Sequence, residues 1–285
     1  MNIEELIEYS ITKIIGGEDG LTKKIDMLIE KHTKKVHFIP IKYRVLGGFL
    51  QSLNIKFGEF IETLLDTIIS NDPSLQVISD VSGATLTLEI EENCERFIDE
   101  YIDNPIKNRD EILKKLPLRL NDLYHKIFLL QNSSGRFNKR IFDVNVLFKA
   151  NDGTYYYVET KYNDDHDTGK FQDINRKFLK TYAGLVRYFK FRRLEEFKPI
   201  LYYFNPSIRY NPNPYLRENI EILRGKKLFE KFNMTTSYDQ IEAKILQLGE
   251  ILNKRFDDIM KMIFHRVEKK INRRTPKTLN DIIYK

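Results

Sequence analysis

The chain has 285 residues, 41% of them apolar and 31% charged, which excludes a disordered or fibrous protein and leaves enough length to bury a core. No apolar run reaches membrane-span length, and the lone cysteine, Cys94, excludes an internal disulfide and a Cys-rich zinc site. A formal net charge of +6 and a pI near 9.0 permit a polyanionic partner without demanding one.

The acidic start, MNIEELIEYS, lacks the basic and apolar regions of a signal peptide, so a reducing, cytoplasmic home is expected. Ile3, Leu6, Ile7, Ile11, Ile14 and Ile15 recur at helical spacing until Gly16-Gly17, and a second helix is expected over Leu21 to Ile29. Phe57, Phe60, Ile61, Leu64, Leu65, Ile68 and Ile69 then form one apolar stripe, closed by Asn71-Asp72-Pro73. LQVISDVSGATLTLEI alternates around a Ser-Gly turn and predicts a hairpin. Helices are expected from Glu91 to Tyr101 and from Arg109 to Gln131.

Two strands follow, Ile141 to Phe148 and Tyr155 to Tyr162, joined by a tight Asn-Asp-Gly turn. A long helix starts near Lys170, with Asp167 or Thr168 as its cap. KPILYYFN reads as a strand, PSIRYNPNPYLR as a proline-punctuated loop, and the rest as helix ending in the basic segment Arg266 to Lys277. The pattern implies a single α/β or α+β domain over residues 1–285, with a helical N-terminal part at 1–70 and a core of strands and helix at 138–205.

Residues two apart on a strand share a face. Tyr155, Tyr157, Glu159 and Lys161 therefore point one way, and Asp143, Asn145 and Leu147 share a face on the preceding strand. If the two polar faces coincide, Asp143, Glu159 and Lys161 meet. Neighbouring carboxylates repel, and burial worsens this; a divalent cation such as Mg²⁺ removes the penalty. A lysine beside it can orient or deprotonate an attacking water, which makes a kit for phosphodiester hydrolysis. Glu-x-Lys also occurs at Glu196/Lys198, Glu242/Lys244 and Glu268/Lys270, yet only Glu159/Lys161 falls on a strand turned against an acid-bearing one. The competing interpretation is a wet amphipathic hairpin with ordinary cross-strand pairs.

FDVNVLF…YVETKYN resembles the core of the PD-(D/E)xK nucleases, in particular type II restriction endonucleases. The resemblance implies a mixed sheet flanked by helices, Asp143 and Glu159 as Mg²⁺ ligands, and Lys161 as the catalytic lysine. Phe142 stands where that family often has proline. Such nucleases often add a glutamate from an upstream helix, for which FGEFIE offers Glu59 and Glu62. Glu62 lies on the flank of the apolar stripe and Glu59 nearly opposite it, so Glu62 is the choice for catalysis and metal binding.

Longer segments, including HFIPIKYRVLGGFLQSLNIKFGEFIE and ILYYFNPSIRYNPNPYLR, are similar to a subgroup that cuts GGNCC. The implied partner is double-stranded DNA, read by a homodimer at a palindromic site, with no membrane and no small-molecule substrate. Lys170, Arg209 and Arg217 are the candidate DNA contacts, and His166 is taken as a polar loop residue. The rival readings are a repair or junction-resolving nuclease of the same superfamily, and a non-catalytic DNA-binding protein.

Overall fold

The computed structural model describes residues 5, 7, 9, 18–35, 37–164, 167–208 and 212–272. Two compact units are drawn from residues 1–60 with 241–285, and from residues 61–240. The first is helical, built from α1 (Glu18–Thr33), the leading part of α2 (Ile41–Asn71) and most of α7 (Tyr238–Asn272). Leu21, Ile25 and Ile29 recur every four residues on α1, as do Ile259, Ile263 and Val267 on α7; with Val45 and Phe49 they form one core. α2 keeps its course through Gly47-Gly48 because α1 comes close there: a Cβ on Gly48 would stand 2.9 Å from a Leu28 methyl. Of the expected first helix, residues 5, 7 and 9 are helical and the others lie outside the described residues.

The second unit begins with the remainder of α2, which carries Ile61, Leu64, Leu65, Ile68 and Ile69 of the apolar stripe read in the sequence, all buried. Its elements are β1 (Leu75–Val77), β2 (Thr85–Glu91), α3 (Glu92–Asp103), α4 (Arg109–Gln131), β3 (Phe137–Asp143), β4 (Val146–Ala150), β5 (Tyr155–Lys161), α5 (Thr168–Phe189), β6 (Phe197–Tyr203), β7 (Ile222–Arg224) and the short α6 (Lys227–Phe232). A five-stranded mixed sheet runs in the order β1-β4-β5-β6-β7, and β2 and β3 form a separate antiparallel pair. β4 and β5 are antiparallel, whereas β5, β6 and β7 are parallel, with α5 as the crossover between β5 and β6. Phe178, Tyr182 and Leu185 of α5 share a core with Tyr157, Leu201 and Tyr203 of the sheet and with Ile98, Leu120, Leu123 and Ile127 of α3 and α4. The helix-flanked mixed sheet expected from the sequence is therefore present.

Two expectations are corrected. The segment from Leu75 to Ile90 is not a hairpin: β1 pairs with β4 and β2 pairs with β3. The strand expected from Ile141 to Phe148 is two strands. Val144 N–H donates to Ala84 C=O, and Gly83 N–H donates to Val144 and Asn145 C=O, so the chain leaves one sheet and enters the other. The three-residue β7 was not foreseen, being too short for periodicity to register. Among the described residues no helix is long and apolar enough to cross a membrane.

Candidate active site

β5 is apolar because it is a central strand, with neighbours on both sides and no exposed residue along its length. Glu159 sits in it fully buried, where an unpaired charge would be prohibitive. Three donors remove that penalty. Lys161 Nζ lies 2.7 Å and Lys177 Nζ 3.0 Å from Oε1, and the Tyr157 hydroxyl donates to Oε2 at 2.5 Å. Burial pushes the Glu159 carboxyl up, but the charges of Lys161 and Lys177 and the hydrogen bonds from Lys161 and Tyr157 outweigh it, so the group titrates below its ordinary value. The carboxylate is held ionised inside the protein.

Strand parity explains the arrangement. Tyr157, Glu159 and Lys161 share the face turned to α5, as expected, and α5 supplies Lys177 from the flank of its buried Ile174–Phe178 face. Lys161 is also tied to Thr160 C=O at 2.9 Å, which fixes its head beside the carboxylate. Tyr203 of β6 stands opposite Lys161 in register; its buried hydroxyl has no hydrogen-bond partner among the described residues.

The other site residues named from sequence are placed as follows. Asp143 closes β3, is exposed, and accepts from Thr85 Oγ1 at 2.6 Å. The β4–β5 ladder stops at Val146 opposite Val158, so strand pairing does not itself carry Asp143 to Glu159. Asn145 is the residue of this segment that touches β5, its side chain accepting from Thr160 N–H at 2.9 Å; Asp143 lies two residues before it, up to about 7 Å away along the backbone. Glu62 is half-buried on α2 and its charge acts on the Tyr157 phenol, whereas Glu59 is exposed. Burial first, then the charge and hydrogen bond of Glu159 and the charge of Glu62, hold that phenol well above its usual range.

Lys170 is exposed in the first turn of α5, whose N-cap is Asp167, accepting from Lys170 N–H at 2.9 Å. Arg217 is bonded through Nε and Nη2 to the buried carboxylate of Glu221. Arg209 and His166 lie outside the described residues. The remaining Glu-x-Lys triplets are elsewhere: two in α7, and one spanning a 3₁₀ turn and the start of β6.

Sequence reasoning missed Lys177, Tyr157 as a hydrogen-bond donor, and Asp164. Asp164, read only as part of a helix-capping loop, is buried three residues beyond Lys161 and pairs with buried Arg224 at 2.9 Å. Arg224 also bonds Glu218 and the Ser207 carbonyl, so this network pins the segment that follows Lys161. The available signal for Lys177 was its place beside the apolar face of a helix expected to cover the sheet.

The donor chemistry of Glu159 suits a hard divalent cation: a buried carboxylate held below its ordinary pKa, with the charge of Glu62 felt at the adjoining Tyr157. Among the described residues no three His, Cys, Asp or Glu side chains form a ready-made cage. Sites completed by substrate phosphate and water need fewer protein donors.

Comparisons with known proteins identify the family to which the chain belongs. The family model described as "Type II restriction endonuclease, HinfI" matches residues 1–249. The chain is 36% identical over 269 residues to the type II restriction enzyme HinfI of Haemophilus influenzae, covering 92% of this chain and 97% of that protein. Neither match names the GGNCC-cutting subgroup. No solved structure matches significantly. A match across most of its length, to a family whose chemistry a buried Glu-x-Lys strand can serve, places the chain in the HinfI family of type II restriction endonucleases.

Proposed function

We propose that this restriction endonuclease hydrolyses double-stranded DNA with Mg²⁺, using Glu159, Asp143 and Glu62 as carboxylate donors and Lys161 beside the attacking water. Type II restriction endonucleases generally use divalent metal ions. The observation that carries the reading is the buried, ionised Glu159 with the Lys161 ammonium 2.7 Å from its Oε1.

Bound by those carboxylates, Mg²⁺ would supply Lewis-acid polarisation and offset the charge that grows on the phosphoryl oxygens. Against burial, Lys161 and Lys177 face Glu159 and hold its carboxyl below the ordinary range, which favours the charged form that a metal needs. Lys161, tethered to Thr160 C=O and to Glu159, is held where its charge stabilises an anionic transition state. Buried Asp164 and Arg224 keep that strand end from fraying.

Lys170, at the exposed N-terminus of α5, is proposed as a phosphate contact. Arg217 would contact DNA only with the N–H groups that Glu221 leaves over. Cutting both strands of a palindrome favours a two-fold homodimer, which light scattering with and without DNA would reveal.

Plasmid incubated with protein and Mg²⁺, with and without chelator, tests the reading. Discrete bands abolished by chelator support it, and smearing or junction-only cutting would turn it toward a repair nuclease. Asp143→Ala should stop cleavage and spare DNA binding. Comparing Glu62→Ala with Glu59→Ala separates the two helix candidates, with Glu62→Ala expected to be the damaging one.

A further inference from the structure

α5 brings a second ammonium to a carboxylate that already has one. Lys177 Nζ and Lys161 Nζ both reach Glu159 Oε1, at 3.0 and 2.7 Å, while Tyr157 holds Oε2. One ammonium is enough to pair this carboxylate oxygen, so Oε1 carries one donor more than its own charge requires. The extra donor can leave without stripping Glu159 of its partners, since Lys161 and Tyr157 stay on it. The two lysines are not equivalent. Lys161 has a second tether, to Thr160 C=O, whereas the hydrogen bond found for Lys177 Nζ is the one to Glu159. The Lys177 side chain is also the more exposed, 34% against 21%. Lys177 is not one of a row of decorative lysines either: Lys180, the next on that side of the helix, is committed to Glu95 and Asp99.

We propose that Lys177 is a second active-site lysine, which covers Glu159 in the empty enzyme and passes to a non-bridging oxygen of the scissile phosphate when a divalent cation takes the carboxylate. The inference rests on the reading of Glu159 as a metal-holding residue. It explains why a helix spends a long cationic side chain on an acid that Lys161 already satisfies. It also gives the site a device that holds the Glu159 carboxylate in place before metal and DNA arrive.

The probe is Mn²⁺ alone, titrated into DNA-free enzyme and followed by the electron paramagnetic resonance of the free ion. With one competing ammonium removed, Lys177→Met should bind Mn²⁺ more tightly, by roughly tenfold for a unit charge near contact distance. The same variant should cleave plasmid more slowly with Mg²⁺. Lys177→Arg, which keeps the charge, should return Mn²⁺ affinity to the wild-type value and recover part of the cleavage. A folded Lys177→Met with wild-type Mn²⁺ affinity overturns the proposal. If Glu159→Ala binds Mn²⁺ as wild type does, the metal-holding reading itself has failed, a separate outcome. Should Lys177→Met not fold, a crystal structure of the wild-type enzyme with DNA and Ca²⁺ decides. Lys177 Nζ on a phosphate oxygen supports the transfer, and Nζ still on Glu159 overturns it.

Discussion

Two carboxylates in the same unit are each surrounded by cations, and they serve different ends. Glu95, on α3, takes Arg140 at 2.9 and 3.1 Å, Asn138 at 3.0 Å and Lys180 at 3.2 Å. Its partners come from β3 and α5, so it bolts three elements together, and Arg140 remains half-exposed. Glu159 is buried completely on a central strand, and its cations arrive from its own strand end and from the same α5, one helical turn earlier. Water can share the charge around Glu95, but Glu159 depends on its three donors. A charge placed where solvent cannot help is weak as a structural device. Its presence beside Lys161 is the observation on which the proposed active site rests.

The contrast can be broken by mutation. Lys161→Ala should reduce cleavage by at least about a hundredfold for loss of a charge aimed at the transition state, with DNA binding kept; a plasmid time course reads it. Tyr157→Phe removes the donor to Glu159 Oε2 and should destabilise the protein by about 2 kcal/mol in urea unfolding, since a buried carboxylate loses a charge-assisted bond. Glu95→Gln should cost about 1–2 kcal/mol at neutral pH and leave the cleavage rate nearly untouched.

The acid limb sharpens the Glu95 case. Hydrogen bonding from Arg140 is the main cause that lowers this carboxyl from 4.5 to about 2, with Asn138 and Lys180 adding to it against burial. A depressed carboxyl contributes stability above its unfolded pKa. That contribution is lost as pH falls from 4.5 toward about 2, so wild type and Glu95→Gln should converge across that window. A constant gap at all pH values would assign the loss to packing. The smallest effect belongs to Lys170→Ala, expected to lower the slope of log binding constant against log salt by about 0.9 and to leave cleavage of bound DNA unchanged.

How far the sequence carried depends on the range of each signal. Alternation along Tyr155–Lys161 and the stripe on α2 are local, and both are where periodicity put them. The cap at Asp167 was also local and is in place. Strand partnership is not local. Thr85–Glu91 had the composition of a hairpin arm, but its partner is β3, some fifty residues on. The break at Val144-Asn145 escaped because an apolar–polar alternation continues unchanged through a change of sheet. Glu159 and Lys161 were legible because they share a strand face. Lys177 was not, because its meeting with Glu159 depends on how α5 crosses the sheet. Asp164 was taken for part of a cap because its partner, Arg224, lies sixty residues away on a strand too short to be seen.

The most direct test sets the two carboxylates against each other: plasmid cleavage with Mg²⁺, and DNA binding with Ca²⁺, by Glu159→Ala and Glu95→Ala at a temperature where both are folded. Glu159→Ala should bind DNA yet cleave at least roughly a thousandfold more slowly, and Glu95→Ala should cleave at close to the wild-type rate. Wild-type cleavage by Glu159→Ala, or loss of cleavage confined to Glu95→Ala, would contradict the assignment of the active site.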